Sequence, residues 1–434
     1  MTLTTVGLLG ILGLLLLIFV RIPVAFSMAG IGVLGFSYLV SPSAAIAMLS
    51  MDIFETLSSY NLTVIPMFVF MGSIAFRIGI TANLFDASYS VFGRIRGSLA
   101  MASVIACAGF SAICGSTNAT AAAMGAVALP QMRRYKYDNA LATGCVASAG
   151  TLGILIPPSA LLIIYGIIAE QSIGSLFLAG IIPGVLLAFL FVITILLLCS
   201  MNPALAPAGS PTSLSNKVRA IFSVVEIPVI FLLIIGGLST GWFSPTQAGG
   251  AGSASLIILG LLKKKLTWKH FVEAGNDTLL ISCMVVFIVM GAIVFNHFIA
   301  VTKIPFLLAD WINNLSFPPA IVMGLIVLVH LIGGCFMDGF ALILLTVPIL
   351  LPLVEGLGYD LIWFGIMIVL IVEMGAITPP VGVNVYVIKG ISADVPLETI
   401  FRGIFPFLVA LVLEVGLLIC FPQLTSILSN LMAY

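Results

Sequence analysis

Two short runs of small and polar residues interrupt otherwise apolar stretches: Cys114-Gly115-Ser116-Thr117-Asn118-Ala119-Thr120 and Gly333-Gly334-Cys335-Phe336-Met337-Asp338-Gly339. In the first, the side-chain oxygens of Ser116, Thr117 and Asn118 join any carbonyls freed by an unwound backbone. Together they form a hard-oxygen set suited to Na⁺, while the N-terminus of a following helix presents positive dipole to an anion. Close helix packing explains the small residues as well, but it does not require consecutive polar positions. The second run carries Asp338, an ionisable group that is costly at membrane depth unless it is paired, solvated or beside a cation. Asp338 also suits the N-cap of a helix starting near Phe340, and the two roles are compatible.

Two further segments carry paired prolines: Ser148 to Ser159, with Pro157-Pro158, and Glu373 to Asn384, with Pro379-Pro380. Each pair removes two backbone donors and must open its helix, which frees carbonyls to face the tips above. Ser159 and Asn384 would then offer side-chain donors to a substrate. Glu373 and Glu414 read as packing or scaffold carboxylates rather than proton relays. His270, His297 and His330 have no partner at metal-ligand spacing and read as structural.

These segments need a membrane around them. The chain has 434 residues, 61% hydrophobic and only 7% charged, against about 45–50% apolar and about 25% charged in soluble domains. Its solvent is lipid, with room for roughly a dozen membrane segments and none for a separate catalytic or nucleotide-binding head. The formal net charge is zero and no basic run exceeds Lys263-Lys264-Lys265, so nucleic-acid binding has no support. The seven cysteines lie in apolar stretches without CxxC spacing and read as small buried hydrophobes. The run Val6 to Val20 lacks a basic leader and a small-residue cleavage site, so it is expected to remain as a membrane helix.

Apolar runs place spans near 3–20, 24–40, 62–80, 139–168, 176–200, 220–238, 247–262, 276–300, 361–388 and 403–428. Segments 98–130 and 319–352 are too long for one span, since 33 residues would reach about 50 Å across a core of about 30 Å. Folded as re-entrant hairpins, with the N-terminus outside, they leave fifteen of the sixteen basic residues on the cytoplasmic side and only Lys303 outside. The chain also repeats itself. FMGSIAF at 70–76 matches VMGAIVF at 289–295 at an offset of 219, Pro130 matches Pro348 at 218, Pro157-Pro158 matches Pro379-Pro380 at 222, and Gly180 with Pro183 matches Gly403 with Pro406 at 223.

The expected architecture is an all-α polytopic membrane protein of two inverted repeats, each with a re-entrant hairpin and a Pro-Pro-broken helix. Its parts are scaffold helices at 1–61, a first repeat at 62–200 (hairpin 98–130, broken helix 139–168), central scaffold helices at 201–275, and a second repeat at 276–428 (hairpin 319–352, broken helix 361–388). Trp268, Lys269 and His270 read as an interfacial helix. Asp52, Glu55 and Lys303 are expected as exposed charges that a soluble partner could use for docking.

The motifs CGSTNATAAAMG at 114–125, AGTLGILIPPS at 149–159 with Tyr165-Gly166, FLAGIIPG at 177–184 and MGAITPPVG at 374–382 are long and specific. They resemble the large membrane subunit of tripartite ATP-independent periplasmic (TRAP) transporters over essentially the whole chain. The resemblance implies Na⁺-driven import of an organic acid across a bacterial inner membrane by an elevator mechanism. It also implies two partners, a small four-helix membrane subunit and a periplasmic substrate-binding protein. Carried over by residue, it implies one Na⁺ site at Gly115, Ser116, Thr117 and Asn118 with Gly150 and Thr151. A symmetric site would use Gly334, Cys335, Met337 and Asp338 with Gly375 and Thr378.

The residues themselves place the carboxylate substrate between the tips, contacted by Asn118, Ser159, Thr378 or Asn384. No basic residue falls in that region, so helix N-termini, amides and Na⁺ itself would balance the anion. Sialic acid and C4-dicarboxylates both lie within the family's range. A self-sufficient Na⁺/carboxylate symporter is the alternative within the same class. An intramembrane aspartyl enzyme lacks the second carboxylate such chemistry needs, since Thr120 stands where the repeat would put it, and the paired hairpins argue against an open channel.

Overall fold

Serine, threonine and aspartate start many of the helices. Ser41, Ser116, Asp138, Ser159, Ser172, Ser244, Thr267, Asp338 and Asp360 each accept a hydrogen bond from a backbone amide of the helix they precede, which satisfies a donor the helix itself leaves unpaired. The computed structural model describes residues 2–209, 213–314 and 317–432. Among these residues the chain is helical with no β-strand, only an isolated bridge between Arg96 and Ala208. Six helices are long and apolar enough to cross a membrane, or up to eight if each bent pair is one span, so this is a multi-pass membrane protein. Leu12, Phe19, Phe26, Leu280 and Phe405 keep half or more of their surface exposed, as side chains do when lipid is the solvent.

One series of elements occurs twice. In the first, Val64–Arg77 and Ile80–Phe92 lead to a hairpin of Ser98–Cys114 and Thr117–Arg134. Asn139–Ala149 and Leu152–Leu155 follow, then a break at the prolines, Ala160–Ile168 and the long Ile173–Met201. In the second, Trp268–Thr302 and Ile304–Asn314 lead to a hairpin of Pro319–Phe336 and Gly339–Gly356. Leu361–Ile377, a break, Val383–Ile391 and Leu397–Cys420 complete it. Both proline pairs are joined by cis peptide bonds.

The two series interlock. Leu397–Cys420 packs along Asn139–Ala149, Val383–Ile391 on Thr117–Arg134, and Ile173–Met201 against both Leu361–Ile377 and Leu397–Cys420. The crossing is backbone to backbone: a Cβ on Gly144 would lie 2.2 Å from the Gly403 carbonyl carbon, so no larger residue fits there without moving a helix. Around this body, Val24–Leu39 runs along Trp268–Thr302, and Pro245–Leu262 packs on Val64–Arg77.

Several boundaries differ from the sequence expectation. Trp268, Lys269 and His270 form the first turn of the 35-residue helix Trp268–Thr302 rather than a separate interfacial helix, so the division at 275/276 falls inside one helix. Thr267 caps its start, and no proline interrupts it. The divisions at 200/201 and at 428 likewise fall inside Ile173–Met201 and Ile427–Met432. Pro42–Ser58 and Ile80–Phe92 are helices for which the apolar runs gave no span.

Candidate functional site

The first hairpin turns in two residues. Gly115 takes φ +65°, a left-handed conformation that other side chains resist, and Ser116 is extended with its Oγ accepting from the Ala119 amide at 3.4 Å. Thr117, Asn118 and Thr120 therefore lie in the first turn of the next helix, not in an unwound tip. The Gly115 carbonyl accepts from the Ala160 amide just past the proline break, at 3.3 Å. A Cβ on Gly153 would lie 2.6 Å from the Ser116 carbonyl oxygen, and one on Gly150 2.8 Å from Ala121 Cβ, so glycine there lets the tip rest on the broken helix. The Thr151 hydroxyl donates to the Ser148 carbonyl at 2.7 Å.

The second hairpin turns at Met337 and Asp338 alone, both extended. Gly334 and Cys335, expected in the turn, are helical, and Cys335 Sγ donates to the Leu331 carbonyl at 3.1 Å. Nothing in 333–336 breaks the helix, and the missing side chain of Gly334 makes room for Gly375, whose Cβ would lie 2.6 Å from Gly334 Cα. Asp338 Oδ1 accepts from the Phe340 amide at 2.9 Å, so the cap is formed. The Thr378 hydroxyl donates to the Met374 carbonyl at 2.6 Å.

The two tips meet. Thr117 Oγ1 donates to Glu373 Oε2 at 2.7 Å beside a cavity of about 50 Å³ whose lining includes Ser116, Thr117, Asn118, Met337, Asp338 and Glu373. Glu373, read from sequence as a packing carboxylate, thus joins the first hairpin to the broken helix of the second series. The signal available was an acidic residue six positions before Pro379 in a helix with no basic residue.

A second cavity of about 280 Å³ runs from the first tip, at Cys114, Gly115 and Ser116, past Phe68, Ser73 and Phe76. It reaches Leu280 and Asp277, with Phe340 of the other hairpin in its wall. At that end Arg77 donates to Glu273 and, at 2.5 Å, to Asp277, so the cation nearest this path is already bound by two carboxylates.

Of the substrate-contact candidates, Asn118 lines the small cavity. Ser159 is fully buried and spends its hydroxyl capping Leu162. Thr378 is partly buried, its hydroxyl turned back on its own helix. Asn384 is also fully buried, with Nδ2 donating to the Ala147 carbonyl at 3.4 Å. It ties the second break to the first broken helix and lines neither cavity.

Around that helix Thr120 Oγ1, Ser148 Oγ and Asn384 Oδ1 are buried without a hydrogen-bond partner, which leaves oxygen acceptors for a hard cation. Among the described residues no group of three His, Cys, Asp or Glu could hold a metal ion; the tips offer hydroxyls, amides, carbonyls and the single carboxylate of Asp338.

Asp52, expected as an exposed docking charge, is 5% exposed and bonded to His297 Nε2 at 3.2 Å, because Pro42–Ser58 packs on Trp268–Thr302. His297, read as isolated, is its partner. Glu55 and Lys303 are exposed. On the surface, Arg133 donates to Asp394 at 2.6 Å and links the end of the first hairpin to the loop after Val383–Ile391. That hydrogen bond holds the Asp394 carboxyl below its ordinary range.

Residues 11–424 match the family model described as tripartite ATP-independent periplasmic transporter, DctM component. Among characterised relatives, the chain is 34% identical to the sialic acid TRAP transporter large permease protein SiaM of Vibrio cholerae, covering 97% of this chain and 98% of that one. It is 34% identical to the C4-dicarboxylate TRAP transporter large permease protein DctM of Pseudomonas aeruginosa, covering 88% and 89%. It is 31% identical to the ectoine TRAP transporter large permease protein TeaC of Halomonas elongata, covering 99% of each. The YdaH transporter of Alcanivorax borkumensis shares the fold at a TM-score of 0.61 and 13% identity, over 89% of this chain and 90% of that one.

Proposed function

Because this chain belongs to the DctM component family of tripartite ATP-independent periplasmic transporters, and is therefore a transporter permease and not an enzyme, we propose that it imports an organic acid across a bacterial inner membrane. Import is driven by Na⁺ and proceeds by an elevator movement. The substrate comes from a periplasmic binding protein, and a small membrane subunit completes the assembly. The observation that carries this reading is the small cavity lined by both hairpin tips, where Thr117 of the first tip donates to Glu373 of the second broken helix, next to a larger cavity that leads away from the first tip.

The relatives named for sialic acid, C4-dicarboxylates and ectoine transport molecules that share a carboxylate, and a carboxylate is the class proposed here. The amides at the start of Thr117–Arg134, with Asn118, face the anion. Na⁺ is held at the first tip by Ser116, Thr117 and Asn118 with Gly115, Gly150 and Thr151, and at the second by Met337 and Asp338 with Gly334, Cys335, Gly375 and Thr378. The ions supply the positive charge that no basic side chain offers. Coupling follows because a ligand shifts a conformational equilibrium only by its differential affinity, and an anion site completed by Na⁺ is empty-handed without it. The repeats are inverted in the membrane, the N-terminus is periplasmic, and Glu55 and Lys303 lie on the face the binding protein meets.

The test is uptake of labelled acids into proteoliposomes holding this chain and its small subunit, with and without an inward Na⁺ gradient and the cognate binding protein. Uptake requiring both is the expected result. Uptake with Na⁺ but no binding protein makes the chain a self-sufficient symporter, and uptake indifferent to Na⁺ removes the ion sites.

A further inference from the structure

A third cavity, of about 550 Å³, lies away from the tips, between Ile80–Phe92, Ser98–Cys114, Leu214–Phe222 and Glu226–Ser239. Its wall includes Leu84, Val91, Ile105, Ala112, Ile227 and Phe231, and Ser88 is the single polar residue in it. Val91, Ile105 and Ile221, all in the lining, are 40%, 40% and 56% exposed, so the cavity is open to the outside of the protein. An apolar hollow of this kind does not hold ordered water.

One end carries positive charge without counter-charge. Lys217 Nζ donates to the Val91 carbonyl at 2.8 Å. Ile221, in the lining, lies one helical turn beyond Lys217 on the same face. Arg94 and Arg96 follow Phe92 of the lining, and Arg96 bridges to Ala208. Among the described residues, none of Lys217, Arg219, Arg94 and Arg96 pairs with a carboxylate. Nearby Glu226 is taken by Lys263, and Asp86 on the cavity's own helix pairs with none of them. Arg77 and Arg133, by contrast, are each bound by acids.

We propose that this cavity is a phospholipid site, taking one acyl chain of an anionic lipid whose phosphate is met by Lys217 and Arg94. The chain would back the outer arm of the first hairpin with hydrocarbon where the protein supplies none. The site stands on its own geometry and does not depend on the substrate or on Na⁺.

The experiment is native mass spectrometry of the assembled permease, delipidated and then offered phosphatidylglycerol or phosphatidylethanolamine with identical chains. Retention of phosphatidylglycerol over phosphatidylethanolamine is expected. Replacing Lys217→Gln and Arg94→Gln should cut that preference by about tenfold or more, since each cation near an anionic headgroup contributes roughly a fivefold factor. Ala112→Phe, which fills the cavity and leaves the cations in place, should lower retention of both lipids. A thermal melt of each variant establishes that it is folded. Equal retention of both lipids by the unaltered protein would overturn the proposal. So would retention unchanged by Ala112→Phe, or a cysteine at Val91 that crosslinks to the small subunit with no lipid held.

Discussion

The two hairpins are made from the same series of elements but are clothed differently. The outer arm of the first, Ser98–Cys114, lies inside the protein, where Ile105 is the one large hydrophobic side chain that is not buried. It is covered by Ile80–Phe92, Asn139–Ala149 and Ile173–Met201. The outer arm of the second, Pro319–Phe336, leaves Ile321, Leu325, Leu328, Val329, Ile332 and Phe336 each about half exposed or more. The neighbours differ: Ile80–Phe92 and Ile173–Met201 pack on the first outer arm, whereas Ile304–Asn314 packs on the inner arm of its hairpin, Gly339–Gly356, and Leu397–Cys420 packs on Asn139–Ala149 and Ile173–Met201. A duplicated sequence pattern therefore repeats the elements without repeating their surroundings.

The largest expected effect tests that difference directly. Ile113→Ala, at a site with no exposure, should destabilise the protein by about 2–5 kcal/mol through the cavity it leaves. Leu328→Ala, 50% exposed on the second outer arm, should stay within about 0.5 kcal/mol. Similar shifts in thermal melting for the two variants would break the comparison.

What joins the first hairpin to the second broken helix is tested next. Thr117→Val removes the donor to Glu373 and leaves a buried carboxylate unpaired, a loss of about 1–3 kcal/mol. Glu373→Gln keeps an acceptor for the Thr117 hydroxyl and should cost less. Equal losses in the melt would show that this hydrogen bond does not hold the first tip to that helix.

The caps come third. Ser116→Ala and Asp338→Ala should each cost about 1 kcal/mol. Asp338→Asn caps as well as aspartate does, so its melt should match the unaltered protein. If Asp338→Asn nevertheless abolishes Na⁺-dependent uptake, the carboxylate belongs to the ion site; if uptake is unchanged, Asp338 is a cap and the two tips are chemically alike.

The smallest effect is at the surface. Arg133 holds the Asp394 carboxyl below its ordinary value of 3.8. The contribution of this pair is therefore complete above that pH and is lost as pH falls through the lowered value. Arg133→Ala should lower the melt slightly at neutral pH and not at all in strong acid, and a difference that persists in acid would assign the Arg133 effect to packing.

Much of this was legible in the residues. The Pro-Pro pairs mark both helix breaks because proline lacks an amide donor, and Gly115 marks the first turn because of its left-handed backbone. Asp338 marks the second as a cap. The runs overstated both turns, however. Gly333 to Phe336 stay helical because glycine there is used for contact with Gly375, and composition does not distinguish glycine that bends a chain from glycine that lets two chains touch. Asp52 and His297 are far apart in sequence, and so are Thr117 and Glu373. Each pair looks like two unrelated residues until helices pack.

By itself the sequence determined the solvent and the elements. A chain with 7% charged residues has to fold in lipid, and proline, glycine and capping residues act on their own backbone within a few positions. Which residues became neighbours was decided only by tertiary structure. That depends on which helix faces pack together, and the apolar side chains that fill those faces are nearly interchangeable in sequence, so the partners of Asp52, Asn384 and Glu373, and the uneven cover of the two hairpins, are properties of the packed molecule.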